Sequence, residues 1–111
     1  MYLFGASGHA KVIIDILIQR AIIIEGIFDD DVNITSILGL PVLRFKKKME
    51  NIDGQFIISI GDNRTRKKIS QLYPFEFLTV THPTSKFPQN VVMGLGTVAM
   101  ANSVINSSAL I

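Results

Sequence analysis

At 111 residues the chain is the size of one ordinary domain, able to bury roughly two-thirds of the surface its unfolded form exposes, with no room for a second full domain. With 48% hydrophobic and 18% charged residues it falls outside the disordered class, and a net charge of +2 is too small to imply nucleic acid, although it leaves a mild attraction for phosphate-bearing small molecules. The absence of cysteine excludes disulfides, thiolate nucleophiles and zinc–thiolate sites and permits a cytoplasmic location, and the longest apolar runs, 12–14 and 21–24, fall far short of the ~18 residues that span a bilayer.

Tyr2-Leu3-Phe4 reads as a short buried strand, with no basic leader ahead of it and so no signal peptide expected. Over 9–20 the polar residues Lys11, Asp15 and Gln19 fall four apart while nearly everything else is apolar. That spacing predicts a helix with one wet edge, packed on a sheet. The β-branched run IIIEGIF (22–28), closed by DDD, predicts a second strand. GLPVL (39–43) predicts a turn and a short third strand, and 45–52 a short basic helix. FIISI (56–60) predicts a buried strand, after which Asp62 caps a helix running to Leu72 that buries a narrow face through Thr65, Ile69 and Leu72. A last strand is expected over 75–80, before a break at Thr81-His82-Pro83. Strands alternating with helices through short connections imply an α/β fold, a parallel sheet with right-handed crossovers.

Beyond His82-Pro83 the helical period disappears. Phe87, Met93, Ala99, Ile105 and Ile111 recur every six residues, and Val91, Thr97, Ser103 and Ala109, each four places later, are all small or β-branched. Val92, Val98, Val104 and Leu110 keep the same period in a second register. This rhythm predicts a parallel β-helix whose triangular coils take three hexads, or eighteen residues, per turn, and the repeat supplies little more than one coil. Such stacks need several coils and a cap, whereas the run stops at SSALI in mid-repeat, so the expectation is the front part of a longer protein.

Three strand-end segments carry the candidate chemistry. The turn GASGHAK reads Gly5, Ser7 and Ala10 against the dinucleotide pattern G-x-G-x-x-G/A, with serine where the central glycine lets a pyrophosphate approach the backbone. Its strand-to-helix setting still suits an anion, because the first amides of a helix are unpaired and its dipole favours negative charge. The second segment, Asp29-Asp30-Asp31, stands where an acid accepts hydrogen bonds from a ribose or a base, or is a solvated turn. The third, Gly61-Asp62-Asn63-Arg64-Thr65-Arg66, should lie beside the first turn, with Asp62 suited to capping and Asn63 and Arg66 to a diphosphate or sugar hydroxyl. Arg64, Lys67, Lys68 and the run Lys46-Lys47-Lys48 read as wet faces. His9 belongs to the anion turn, as a ring donor to phosphate or as a seat for the helix. His82 reads as a structural residue at the junction, with no carboxylate near either histidine in sequence. The acids show no metal-ligand spacing.

Taken in order, GASGHAKVIIDIL (5–17), GIFDDD (26–31), GLPVL (39–43), ISIGDNRTR (58–66), THPTS (81–85) and NVVMGLGTVAMANSVINSSALI (90–111) give nearly the whole chain a resemblance to the sugar acetyltransferases of the bacillosamine, perosamine and sialic acid type. The resemblance implies a Rossmann-like nucleotide-sugar-binding domain over 1–82 and the start of a left-handed parallel β-helix over 83–111. It places substrate contacts on Gly5, Ser7, Gly8, His9, Asp29, Asp30, Gly61, Asp62, Asn63 and Arg66. It also implies a homotrimer that binds acetyl-CoA in clefts between neighbouring β-helices, and a general-base histidine on a later coil, so no catalytic residue is expected up to Ile111. The expected partner is a nucleotide-linked amino sugar or a sialic acid, for O- or N-acetylation in surface glycan synthesis in the cytoplasm. A nucleotide-sensing module without catalysis, or a NAD-type oxidoreductase domain, are the competing readings.

Overall fold

Successive side chains of a strand point to opposite faces, and the first strand already divides the core in two. Leu3 faces one side of the sheet, Tyr2 and Phe4 the other. The computed structural model describes residues 1–46, 53–73 and 75–105. In chain order the elements are β1 (Tyr2–Phe4), α1 (Gly8–Gln19), β2 (Gly26–Phe28), β3 (Ser36–Ile37), β4 (Leu40–Pro41), β5 (Gln55–Ile58), α2 (Asn63–Leu72), β6 (Glu76–Phe77), β7 (Val80–Thr81) and β8 (Val98–Ala99). The main sheet runs β2-β1-β5-β6, all parallel, and its register sets Leu3 beside Ile27 and Ile57.

That aliphatic row packs beneath α1, which buries Ala10, Ile13, Ile14, Ile16 and Leu17 and leaves Lys11, Asp15 and Gln19 exposed, the wet edge that its spacing predicts. On the opposite face Phe4, Phe28 and Phe56 are buried under Phe45, Tyr73 and Phe75. Phe56 and Phe75 stack with ring centroids 3.8 Å apart, and Tyr2 lies over Phe56 at 4.9 Å. Because loop aromatics cover this face, α2 has little left to bury: Ile69 is half-buried, Thr65 is exposed and Leu72 is 61% exposed, against the expectation of a buried narrow face. The predicted cap is present, with the Asp62 carboxylate accepting from the Thr65 amide at 2.9 Å.

Three strand predictions are corrected. The second strand starts at Gly26 rather than Ile22, because residues 22–24 are used in leaving α1. Ala21 turns the chain at φ +56°, and the Ala21 and Ile22 amides donate to the Ile18 and Leu17 carbonyls at 3.0 and 2.9 Å. These are the paired bonds that end many helices, with alanine where glycine is usual. The turn and short strand expected over 39–43 are present as Gly39 and β4, but the strand lies outside the main sheet. Leu40 and Pro41 return antiparallel on Ser36 and Ile37 through Leu38 and Gly39, both at positive φ, a turn matching the twist of a hairpin. Leu43 alone reaches the sheet, bridging Phe28 in parallel. The strand expected over 75–80 splits in two: Glu76 and Phe77 pair with β5, whereas Val80 and Thr81 leave the main sheet and pair with β8. Of the basic helix expected over 45–52, Phe45 and Lys46 are irregular and 47–52 lie outside the described residues.

After β7 the chain pairs with itself in parallel at a constant interval. Val80 faces Val98, Thr81 faces Ala99 and Lys86 faces Val104, each eighteen residues apart. Ala99 is buried and Met93 and Ile105 half-buried, while Val92 and Val104 of the second register point to solvent. Phe87 of the first register is 41% exposed, and Ala109, Leu110 and Ile111 lie outside the described residues. The segment is tied to the sheet domain through α1: Arg20 donates from Nε to the Thr81 carbonyl at 2.8 Å and from Nη2 to its hydroxyl at 3.0 Å. Among the described residues no helix is long and apolar enough to cross a membrane.

Candidate nucleotide site

In an open parallel sheet the chain leaves β1 toward β2 on one side while β5 lies on the other, which opens a crevice at the carboxyl ends of these strands. The three segments singled out in the sequence all emerge there. Gly5 follows β1, Asp29 and Asp30 follow β2, and Gly61 and Asp62 follow β5.

Gly5 sits at φ +117° with the next chain against it. A Cβ here would lie 2.5 Å from Ile60 Cγ1 and 3.0 Å from the Ser59 carbonyl oxygen. Its amide donates to the Phe28 carbonyl at 2.7 Å, and its carbonyl accepts from the buried Ser59 hydroxyl at 2.6 Å. The turn is thereby sewn to both neighbouring strands. Ser59, outside the sequence-derived set, is found only by this register. Ser7 and Gly8 follow in the open; Ser7 holds the N-cap position of α1 without its side chain making a cap bond, and with Gly8 and Lys11 it lines a hollow against residues 33–38.

Asp29 is largely committed to backbone. One carboxylate oxygen accepts from the Ala6 amide at 2.9 Å and the other from the Asp31 amide at 2.8 Å. Arg44 reaches across to the Asp29 and Ile34 carbonyls, bracing the acidic turn. Asp29 therefore shapes the glycine turn from the neighbouring strand, while Asp30 stays exposed at the mouth of a cavity of about 390 Å³. Phe4, Phe28, Phe45 and Tyr73 wall this cavity, and Lys68 and Thr65 stand at its rim. Phe45, Tyr73 and Lys68 were not legible as site residues, because they come from a loop and a helix face that only the fold brings over β1 and β2.

Asp62 accepts from both the amide and the hydroxyl of Thr65, at 2.9 and 2.7 Å. These bonds, the hydroxyl first, hold its carboxyl below the ordinary carboxylate value, and they turn it into the helix it caps. Asn63 is exposed beside Arg66 on a second cavity of about 320 Å³. Arg66 donates from Nη2 to the Gly96 carbonyl at 3.0 Å and, with His9, Thr97 and Met100, lines a third cavity of about 340 Å³ between the sheet domain and the eighteen-residue ladder.

His9 is half-buried against Gly61, and its Nε2 is shielded from solvent without a hydrogen-bond partner among the described residues. Burial, reinforced by the Arg66 charge, pulls its pKa below the ordinary 6.5, so the ring is neutral at pH 7. The sign for stability follows: between pH 6.5 and the lower folded value, the unfolded chain takes up a proton that the folded chain refuses. Stability is therefore lost as pH falls through this window and is unaffected by His9 above it. A histidine titration followed by NMR is expected to place the His9 midpoint below 6.5, and Arg66→Gln to move it up by removing the charge contribution.

His82, by contrast, gains a carboxylate that sequence proximity did not reveal. Asp15 of α1 approaches Nε2 at 3.6 Å, while Nδ1 accepts from the Thr84 amide at 3.1 Å. The imidazole is only 8% exposed and closes the junction between the two parts of the chain.

The chain has counterparts among known proteins. A family model described as the PglD N-terminal domain matches residues 1–73. Uncharacterized protein L142 of Acanthamoeba polyphaga mimivirus is 32% identical over 107 residues, which is 95% of this chain and 22% of that protein. Among solved structures, a mutant of perosamine N-acetyltransferase from Caulobacter crescentus in complex with CoA and GDP-perosamine superposes with a TM-score of 0.89 at 28% identity, over 99% of this chain and 55% of that one. The acetyltransferase domain of PglB from Neisseria gonorrhoeae shares the fold, with a TM-score of 0.79 at 21% identity over 98% of this chain and 65% of the other. The chain thus spans about half the length of the perosamine enzyme and about a fifth of the viral protein.

Proposed function

Since this chain belongs to the PglD N-terminal domain family, we propose that it is the substrate-binding part of an acetyl-CoA-dependent sugar acetyltransferase and that it holds a nucleotide-linked amino sugar. The observation that carries this reading is the convergence of three strand ends on one crevice, where Gly5, Asp29 and Asp30 border an aromatic-walled cavity. In the proposal the diphosphate lies on the amides of Ser7, Gly8 and His9, close to Asn63 and Arg66, where the helix dipole favours its charge. Asp29 fixes the turn, Asp30 accepts from the ribose or base, and Gly5 and Gly61 keep the floor free of side chains. Asp62 contributes by capping α2.

On this reading residues 1–82 form a Rossmann-like unit and 83–111 begin a left-handed β-helix, an assignment supported by the eighteen-residue parallel pairing. Further coils would supply the general-base histidine, the trimer contacts and the clefts for acetyl-CoA, which brings the activated acetyl group. None of the residues argued above is assigned to that donor. Transfer to the sugar amine or hydroxyl requires the base to take a proton as the nucleophile attacks the thioester. A cytoplasmic setting, where acetyl-CoA is available, belongs to the same proposal.

The test is calorimetric and NMR titration of the chain with UDP, GDP and NAD. A nucleoside diphosphate is expected to shift the amides of 5–9 and 61–66, and Asp29→Ala to weaken it about tenfold by releasing the turn. NAD binding more tightly than both diphosphates would defeat the reading. Acetyl turnover by the 111 residues alone would defeat the assignment of catalysis to further coils.

A further inference from the structure

Among the described residues, side chains of Arg20, Asp15 and Arg66 reach from the sheet domain to the ladder segment, and they differ in what else they can bind. The Arg20–Thr81 and Asp15–His82 contacts lie along α1 and at the junction, well along the helix from the turn at Ser7. His82 is further committed through Thr84, whose hydroxyl accepts from the Asn102 amide at 2.9 Å. The third contact is Arg66 to the Gly96 carbonyl, and this guanidinium also acts electrostatically on His9 inside the anion turn.

The loop that Arg66 holds is anchored at both ends, the far one by the Val80 amide of β7 donating to the Thr97 carbonyl at 2.9 Å. Gly94 accepts at its carbonyl from the hydroxyls of Thr79 and Thr97 at 2.9 and 2.6 Å. Beyond it Leu95 is 83% exposed and Gly96 sits at φ +80°. Leu95 and Gly96 border both cavities that contain Arg66, so displacing the loop changes the shape of the space next to His9.

We propose that Arg66 is a ligand-released latch: a diphosphate bound at the Ser7–His9 turn draws the guanidinium off the Gly96 carbonyl and frees the Leu95–Gly96 tip between its two anchors. A phosphate oxygen offers a charge-assisted, two-point partner, and a backbone carbonyl offers a single neutral one, so the anion has the differential affinity that a population shift requires. The junction contacts of Arg20 and His82 and the Val80–Thr97 bond stay in place, so the tip moves without loosening β7 and β8. The latch rests on the reading that the turn binds phosphate.

The experiment is backbone NMR and amide exchange on the chain with sodium pyrophosphate, against sodium chloride at the same ionic strength, since screening alone weakens exposed contacts. Pyrophosphate is expected to shift the Ser7, Gly8 and His9 amides and to speed exchange about tenfold at Thr97, whose amide closes the Leu95–Gly96 tip on the Gly94 carbonyl. In Arg66→Gln that exchange should be fast from the outset and insensitive to pyrophosphate, with Arg66→Lys intermediate. Turn shifts without faster exchange at Thr97 overturn the latch and leave the phosphate reading standing. No response at the turn overturns both.

Discussion

Replacing Gly5 with alanine is expected to lower the stability of the chain by about 3 kcal/mol, through a backbone conformation that L-residues rarely adopt and a clash with the next strand's exit. The added Cβ would meet Ile60 Cγ1 at 2.5 Å, which a side-chain shift can relieve, and the Ser59 carbonyl at 3.0 Å, which only backbone movement can. Moving that backbone also strains the 2.6 Å bond from the Ser59 hydroxyl to the Gly5 carbonyl. Gly8 supplies the control. A Cβ there meets nothing within 4 Å and Gly8 already lies in α1, so Gly8→Ala should change stability by no more than ~0.5 kcal/mol. Urea unfolding of both variants decides the matter, and equal midpoints would mean that the turn is looser than its hydrogen bonds indicate. The functional corollary is that a folded Gly5→Ala chain should lose nucleotide binding, since the open amides follow directly on the distorted residue.

Truncating Phe56 to alanine should cost more, about 4 kcal/mol, a large share of the ~5–15 kcal/mol by which a domain of this size is stable. Phe56 is fully buried, pairs with Tyr2 in the register of β1 and β5, and stacks against Phe75 and Phe4 at 3.8 and 5.4 Å. Removing the ring leaves a cavity in the middle of a layer drawn from five separate stretches of chain, which cannot collapse around it without displacing strands. Phe56→Leu preserves most of the volume and should cost about 1.5 kcal/mol or less. A loss below ~1 kcal/mol for the alanine variant would show that the aromatic face contributes little packing. Because Phe4, Phe28 and Tyr73 of the same layer wall the candidate nucleotide cavity, the alanine variant should also weaken nucleotide binding in whatever fraction stays folded.

The two faces of the sheet were unequally legible. The α1 face follows from local pattern, because a helix spaces its polar residues four apart and Lys11, Asp15 and Gln19 declare its outer edge without reference to any other segment. The aromatic face has no such period. Phe45, Tyr73 and Phe75 come from a loop and from the connection between α2 and β6, and their common destination depends on strand order. The same dependence explains α2, whose expected buried stripe of Thr65, Ile69 and Leu72 lost its place to those aromatics.

By itself the sequence determined the α/β alternation, the glycine turn after the first strand, the Asp62 cap, and the six-residue rhythm whose coil length reappears as pairing between residues eighteen apart. These are local or periodic features, set by backbone conformation and side-chain spacing along one stretch of chain. Only the tertiary structure decided that Asp29 accepts from the Ala6 amide, that His82 meets Asp15, and that Arg66 reaches the Gly96 carbonyl. Each of those contacts joins residues more than twenty positions apart, and which partner a charged side chain finds at that separation is set by strand order and register rather than by its neighbours in the chain.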